Sequence, residues 1–347
     1  MFLKSPEDLS VKVVNQFSRM NLLQQFCPTT RSMILFKNFK YIFIQTPRSK
    51  STSKKAYALG SEARELTRLG IQHDLFSKRT NLLYKNANIS EGGTILDVGC
   101  GPGFTTLELA TMVGKNGEVY AMDECLKSLS TLSKRAQSHG WRAKTFCRLE
   151  HDKHGDIILC GKNVTDIESW RMFQKNPVDA VFVRWLLTWL QHSDVIRMHD
   201  FMSFCVKPGG KVAILDYFNV ATFNVTSPSL KNNQSPIHWK YLCNILIEEW
   251  NRVGDPNVAS YVPQLLNERG FKVHEVEPLA LIIRPTDELW EWPTTYFKTQ
   301  AKRLVDSKVI NDEHFIEKFE KEWNDISKNE VAWYCPPVMA TVIGERL

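Results

Sequence analysis

The sequence predicts an α/β fold: a seven-stranded, mostly parallel sheet with helices on both faces. Three observations carry that expectation. Short apolar runs alternate with segments of helical periodicity between residues 94 and 215. A glycine-rich turn, Asp97-Val-Gly99-Cys100-Gly101-Pro-Gly103, closes the first of these runs. Beyond residue 216 the alternation loosens into two stretches of helical character, about 217–260 and 286–330. These read as insertions after the fifth and sixth strands.

Residues 62–86 place Leu66, Leu69, Leu75, Phe76, Leu82 and Leu83 at a spacing that suits one or two amphipathic helices. Ile95–Val98 is a strand of buried type, followed by a helix near Thr105–Val113 that stops at Gly114. Lys115-Asn-Gly117 turns the chain into a second strand, Glu118–Met122, and Leu126–Gly140 reads as a helix. A weak third strand lies near Asp156–Cys160 after a long polar connection, and Val178–Val183 is a fourth. Val195, Met198, Met202 and Cys205 mark the next helix; Lys207-Pro-Gly-Gly210 makes a turn into a fifth strand, Lys211–Leu215. Helices are expected around His238–Arg252 and over Val262–Gly270, with a strand region at Phe271–Ile283. In the second insertion Phe315, Ile316, Phe319, Trp323 and Ile326 recur at helical spacing, and Val338–Ile343 closes the chain as a last strand.

The 347 residues are 43% hydrophobic and 24% charged, a balance suited to burying a substantial core. No run of eighteen apolar residues occurs, so no membrane-spanning helix is expected. The eight cysteines form no C-x-x-C pair and no zinc spacing; we expect reduced thiols of an intracellular protein and no metal site.

The net charge of +6 is unevenly placed. Leu9–Ser61 holds nine basic residues and no Asp or Glu, more than the whole surplus, so the rest of the chain is slightly acidic. Such a body lacks the broad positive face that nucleic acid needs, and no nucleic-acid partner is expected. Residues 1–56 therefore stand apart as a basic extension. Acid-free from Leu9 onward, basic and punctuated by Ser and Thr, they have the marks of a mitochondrial transit peptide; otherwise a cytoplasmic protein is expected. Residues 57–347 form the body.

The glycines of the Asp97–Gly103 turn let the backbone bend sharply and approach a ligand without interference from Cβ atoms. The helix after it presents free N–H groups and the positive end of its dipole. At the carboxyl end of a central parallel strand, such a loop is a nucleotide-binding position. A dinucleotide fingerprint would require glycine where Phe104 stands, and a P-loop would require G-K-[ST], which is absent. Asp123 ends the second strand about twenty residues later. A carboxylate there suits two ribose hydroxyls, or it caps the following helix.

With Asp two residues before the first of three alternating glycines, the turn resembles motif I of class I S-adenosylmethionine-dependent methyltransferases. The segments YALGSEARELTRLGIQ (57–72), RWLLTWL, VKPGG, PLALIIRPTDELWEWP (278–293) and YCPPVMATVIG (334–344) extend the likeness to methyltransferase-domain proteins of quinone biosynthesis and fungal secondary metabolism. The resemblance implies a Rossmann-like fold, S-adenosyl-L-methionine as cofactor and a small-molecule acceptor. It places Asp97, Gly99, Cys100, Gly101 and Gly103 on the cofactor, with Asp123 and Glu124 at its ribose and Arg184 beside it. At the position after the third strand where the family carries an acid for the adenine amino group, this chain has Asn163-Val164, with Asp166 as a rival.

Acceptor-pocket candidates come from the segment before the sheet and from the first insertion: Tyr57, Tyr217, Trp239 and Tyr241. His192 and His238 are the histidines considered as bases. Trp185 and Trp189 read as a core-facing helix turn. The alternatives are an RNA or protein methyltransferase, or a cofactor-binding partner subunit without catalysis.

Overall fold

The computed structural model describes residues 63–145, 148–164, 170–226 and 236–347. The basic extension, Tyr57 and Asp166 lie outside the described residues.

Helix α1 (Ala63–Asn86) is one continuous helix of 24 residues leading into β1 (Thr94–Val98). Then follow α2 (Phe104–Val113), β2 (Glu118–Met122), α3 (Leu126–Ser138), a hairpin of β3 (Arg142–Thr145) and β4 (Arg148–Glu150), β5 (Asp156–Cys160) and β6 (Val178–Arg184). Next come α4 (His192–Cys205), β7 (Val206–Asn219), β8 (Asn224–Thr226), α5 (Ile237–Val253), α6 (Val262–Glu268) and β9 (Phe271–Leu279). The chain ends with α7 (Glu291–Asp306), α8 (Phe315–Ser327), β10 (Trp333–Cys335) and β11 (Val338–Arg346).

The main sheet runs β3-β4-β5-β2-β1-β6-β7-β11-β9. Its seven expected strands are all present, and the hairpin β3–β4 extends one edge. Strands β5, β2, β1, β6 and β7 are mutually parallel, whereas β11 runs antiparallel between β7 and β9. The central strands are buried almost throughout, as strands covered on both faces must be. From β1 the chain winds outward to β2 and β5, then returns to β6 on the other side. That reversal opens a crevice at the carboxyl ends of β1 and β6.

Two departures from the sequence reading have local causes. The hairpin β3–β4 has no apolar run: β3 is an edge strand, and the three residues of β4 bury only Leu149. Strand β7 is longer than expected at both ends: it starts before the Pro208-Gly209 turn, where its register with β6 shifts. It also continues past Leu215 because β11 pairs with it as far as Asn219.

Helices α5, α7 and α8 pack on one another above this crevice, and α1 contacts α7. Phe315, Phe319, Trp323 and Ile326 form the buried face of α8. Trp323 stacks on Trp290 at 5.2 Å and meets Phe297 of α7 at 5.2 Å. Each such buried side chain contributes ~2 kcal/mol. The short β8–β10 pair ties the first insertion to the segment before β11.

Candidate active site

At the end of β1, Asp97 is fully enclosed. Its Oδ2 accepts from the hydroxyls of Thr105 (2.9 Å) and Thr106 (2.6 Å) in the first turn of α2. Burial pushes its pKa up to about 6, against the opposing pull of the two hydroxyls and of Arg184. The loop beyond it is pinned to β2: the Gly99 and Cys100 N–H groups donate to Met122 O at 2.8 and 3.1 Å. The Gly101 N–H donates to Asp123 Oδ2 at 2.8 Å, and the Cys125 N–H donates to Asp123 Oδ1 at 2.7 Å. Asp123 thus caps the turn into α3 and holds the loop, and each of its oxygens keeps a second lone pair.

Two glycines show why the turn needs them. Gly103 has φ +82°, and a Cβ there would come within 2.1 Å of Leu132 Cδ1. Gly101 has φ +54°, yet a Cβ there would meet nothing within 4 Å. The first glycine is required by packing. The second leaves an open face over the loop, against which a ligand's backbone can lie.

Arg184 leaves the end of β6 into this crevice, with its guanidinium 4.6 Å from the centre of the Trp185 ring. It donates to Thr80 Oγ1 at 3.2 Å and to His73 Nδ1 at 3.1 Å, both on α1. Because arginine only donates, Nδ1 is the acceptor, and the His73 proton sits on Nε2, 3.1 Å from Glu108 Oε1. Tyr84 donates to the other Glu108 oxygen at 3.1 Å. Trp185 itself adopts φ +54°, a left-handed conformation that bulky side chains rarely take.

A cavity opens over the loop. Asp97, Gly99, Cys100, Gly101 and Arg184 line one side. Trp185, Trp189, Tyr217, Trp250, Trp292 and Tyr296 line much of the rest. Trp189 stacks on Trp250 at 5.3 Å, and Tyr217 meets Trp250 edge-on at 4.8 Å.

The expected residues divide accordingly. Tyr217 lines the cavity. Gly103 lies under the loop against Leu132, while Asp123, Glu124, Asn163 and Val164 stand beyond the cavity lining, at the ends of β2 and β5. Asn163 Nδ2 donates to Glu124 Oε2 at 3.1 Å, and the Val164 carbonyl accepts from Trp170 Nε1 at 3.1 Å.

Four acceptor or base candidates lie elsewhere. His192 is exposed at the start of α4 against Tyr261. His238 packs against Phe315, its Nδ1 3.4 Å from Glu322 Oε1 without hydrogen-bond geometry. Tyr241 is half exposed on the same helix, beside Phe315. Trp239 is buried among Phe223 and Phe297, behind the lining. The helical spacing of α5 turns His238, Trp239 and Tyr241 toward α7, α8 and solvent rather than toward the loop. Trp185 and Trp189 are corrected in the other direction, since both line the cavity.

Sequence reasoning missed the contribution of α1. Glu65, Arg68 and Gln72 are buried along one face of that helix, at the three- and four-residue spacing that brings side chains together, and His73 is buried next to them. That spacing is legible in the sequence, whereas the leucine pattern is a poorer guide, since Leu82 is 40% exposed.

The methyltransferase-domain family matches residues 95–210, from β1 through the turn in β7. A 2-phytyl-1,4-naphtoquinone methyltransferase of Trichormus variabilis is 27% identical over 186 residues, covering 54% of this chain and 69% of the relative. A demethylmenaquinone methyltransferase of Bacillus licheniformis is 28% identical over 145 residues, covering 42% of this chain and 52% of the relative. A solved SAM-dependent methyltransferase from Aquifex aeolicus is 20% identical, covers 62% of this chain and 92% of its own, and has a TM-score of 0.41.

The chain is a class I S-adenosylmethionine-dependent methyltransferase. Its cofactor is S-adenosylmethionine. Among the described residues no helix is long and apolar enough to cross a membrane.

Proposed function

We propose that the enzyme methylates a small, largely apolar molecule bound in the cavity over the glycine loop. One observation carries this reading: the cavity that Asp97, Gly99 and Gly101 border is walled by tryptophan and tyrosine on its other sides. Such walls take a flat apolar body and exclude water. Two relatives are named for quinone acceptors, which supports a ring of that kind.

The cofactor, when bound, supplies an activated methyl group on a sulfonium. The chain's own task is then positioning. Asp97, Gly99, Cys100, Gly101 and Gly103 shape the loop that would hold the cofactor; Asp123 and Glu124 would bind its ribose, Asn163 and Val164 its base, and Arg184 its methionine carboxylate. Trp189, Tyr217 and Trp250 hold the acceptor in line, and aromatic faces favour the cationic sulfur. No base from His192 or His238 enters this scheme.

The test is to incubate the protein with methyl-labelled cofactor and a cell extract split into lipid, RNA and protein fractions. Label in the small-molecule lipid fraction is expected. Label confined to RNA or protein would overturn the reading, and a failure to bind cofactor in calorimetric titration would leave only a non-enzymatic role.

A further inference from the structure

Deep in the aromatic cavity, α1 and α7 bring together an unusual set of polar groups. Arg68 is buried, and its guanidinium is held by Glu65 through two hydrogen bonds of 2.8 Å. Its remaining arm donates to Gln72 Oε1 at 2.7 Å. Trp292 Nε1 donates to the same oxygen at 3.4 Å. Two donors on one oxygen fix the orientation of the amide, because the carbonyl and NH2 ends are then no longer interchangeable. Gln72 is only 5% exposed and lines the cavity, and its NH2 group has no hydrogen-bond partner among the described residues.

Two hydroxyls share that situation. Tyr296 lies under Arg68, whose guanidinium is 5.8 Å from its ring centre, and Tyr334 stands 6.2 Å from the Trp292 ring. Both line the cavity, and neither hydroxyl has a hydrogen-bond partner among the described residues. None of these three groups belongs to the polar atoms sealed off from solvent without a partner, so all three open onto the cavity. Burial pushes the Tyr296 hydroxyl up to about 12 and that of Tyr334 well above its ordinary value, so both remain protonated donors at neutral pH. Glu65 already neutralises Arg68, so the pole offers hydrogen bonds rather than net charge.

We infer that Gln72, Tyr296 and Tyr334 form a donor pole that recognises an oxygen atom on the acceptor, which is therefore a hydroxylated or quinoid aromatic ring rather than a bare hydrocarbon. This rests on the proposed apolar acceptor and narrows it. A carbonyl or phenolic oxygen satisfies donors that a hydrocarbon leaves unpaired in a dry site. Sites built to hydrogen-bond an oxygen discriminate strongly against analogues lacking it.

The experiment is calorimetric titration of the full chain, saturated with S-adenosylhomocysteine, with 2-naphthol and with 2-methylnaphthalene. The wild type is expected to bind 2-naphthol at least tenfold more tightly. Tyr296→Phe and Tyr334→Phe remove hydroxyls that hold nothing else in the protein, and each should weaken 2-naphthol three- to tenfold while leaving 2-methylnaphthalene unchanged. Equal binding of the two probes by the wild type, or variants that weaken both alike, would overturn the donor pole while the apolar reading stands. If neither probe binds, both fall together. S-adenosylhomocysteine binding in the same titrations separates these results from failure of the methyltransferase reading, which would take the donor pole with it.

Discussion

Arg184 and His73 meet at 3.1 Å across the floor of the cavity, and the far nitrogen of the same imidazole faces Glu108. The strand end that carries Arg184 is thereby braced by α1 and α2. His73→Ala leaves a buried guanidinium with an unpaired donor, at a cost of about 1–3 kcal/mol. We expect cofactor affinity to fall about tenfold in calorimetric titration, with a smaller loss for Glu108→Gln, which keeps an acceptor. Unchanged affinity in His73→Ala would separate this network from cofactor binding.

The glycine turn offers a paired test. Gly103→Ala forces a Cβ into Leu132 at a positive φ, and thermal melts should show a loss of about 3 kcal/mol. Gly101→Ala meets only open space and should cost about 1 kcal/mol for its backbone conformation. Its larger effect should fall on cofactor binding, by tenfold or more. If Gly101→Ala binds cofactor normally, the open face above it is not the cofactor's seat.

Asp216 predicts a pH dependence. It is fully buried at the end of β7, where it accepts from the backbone N–H groups of Tyr217 (2.8 Å) and Thr188 (3.3 Å). Burial raises its pKa to about 7, opposed by those N–H groups and reinforced by nearby Asp255. An acid whose folded pKa lies above its unfolded one stabilises the fold fully below the unfolded value. That contribution is lost as pH climbs toward the folded value. The cofactor-free enzyme should therefore melt lower at pH 8 than at pH 5, with ~2 kcal/mol of the difference due to Asp216. Asp97 acts in the same direction, with its loss complete near pH 6. Asp216→Asn should flatten the trend; a variant that keeps the full difference would assign it elsewhere.

Trp250 separates acceptor from cofactor. It stacks on Trp189 and takes the edge of Tyr217, and its indole N–H donates to Thr188 O at 3.2 Å. Trp250→Ala should raise KM for the acceptor at least tenfold while cofactor affinity changes less than threefold. A matching loss of cofactor affinity would show that this wall serves both ligands.

The two histidines first considered as bases give a negative prediction. His192→Ala and His238→Ala should keep turnover within about twofold of wild type in a labelled-methyl assay. A hundredfold drop in either would restore a proton-transfer role that its position does not suggest.

What the sequence determined by itself was the sheet and the loop. Alternating apolar runs specify strands buried on both faces, and Asp97 with three alternating glycines specifies a tight turn at the end of the first of them. Both are local patterns, legible because backbone geometry dictates residue type over a few positions. The strands Arg142–Thr145 and Arg148–Glu150 escaped because the first is an edge strand with one partner and the second is three residues long with a single buried apolar side chain, Leu149.

The tertiary structure decided the acceptor side. Trp239 and Tyr241 sit on a helix of the right segment but face other helices, whereas Trp185 and Trp189, ordinary core residues by pattern, line the cavity. Arg68, Gln72 and His73 come from α1, some thirty residues before the loop they face, and Tyr296 and Tyr334 come from near the end of the chain. A site assembled across more than two hundred residues leaves no spacing to read. Its chemistry exists only once the helices above the sheet have closed over the glycine turn.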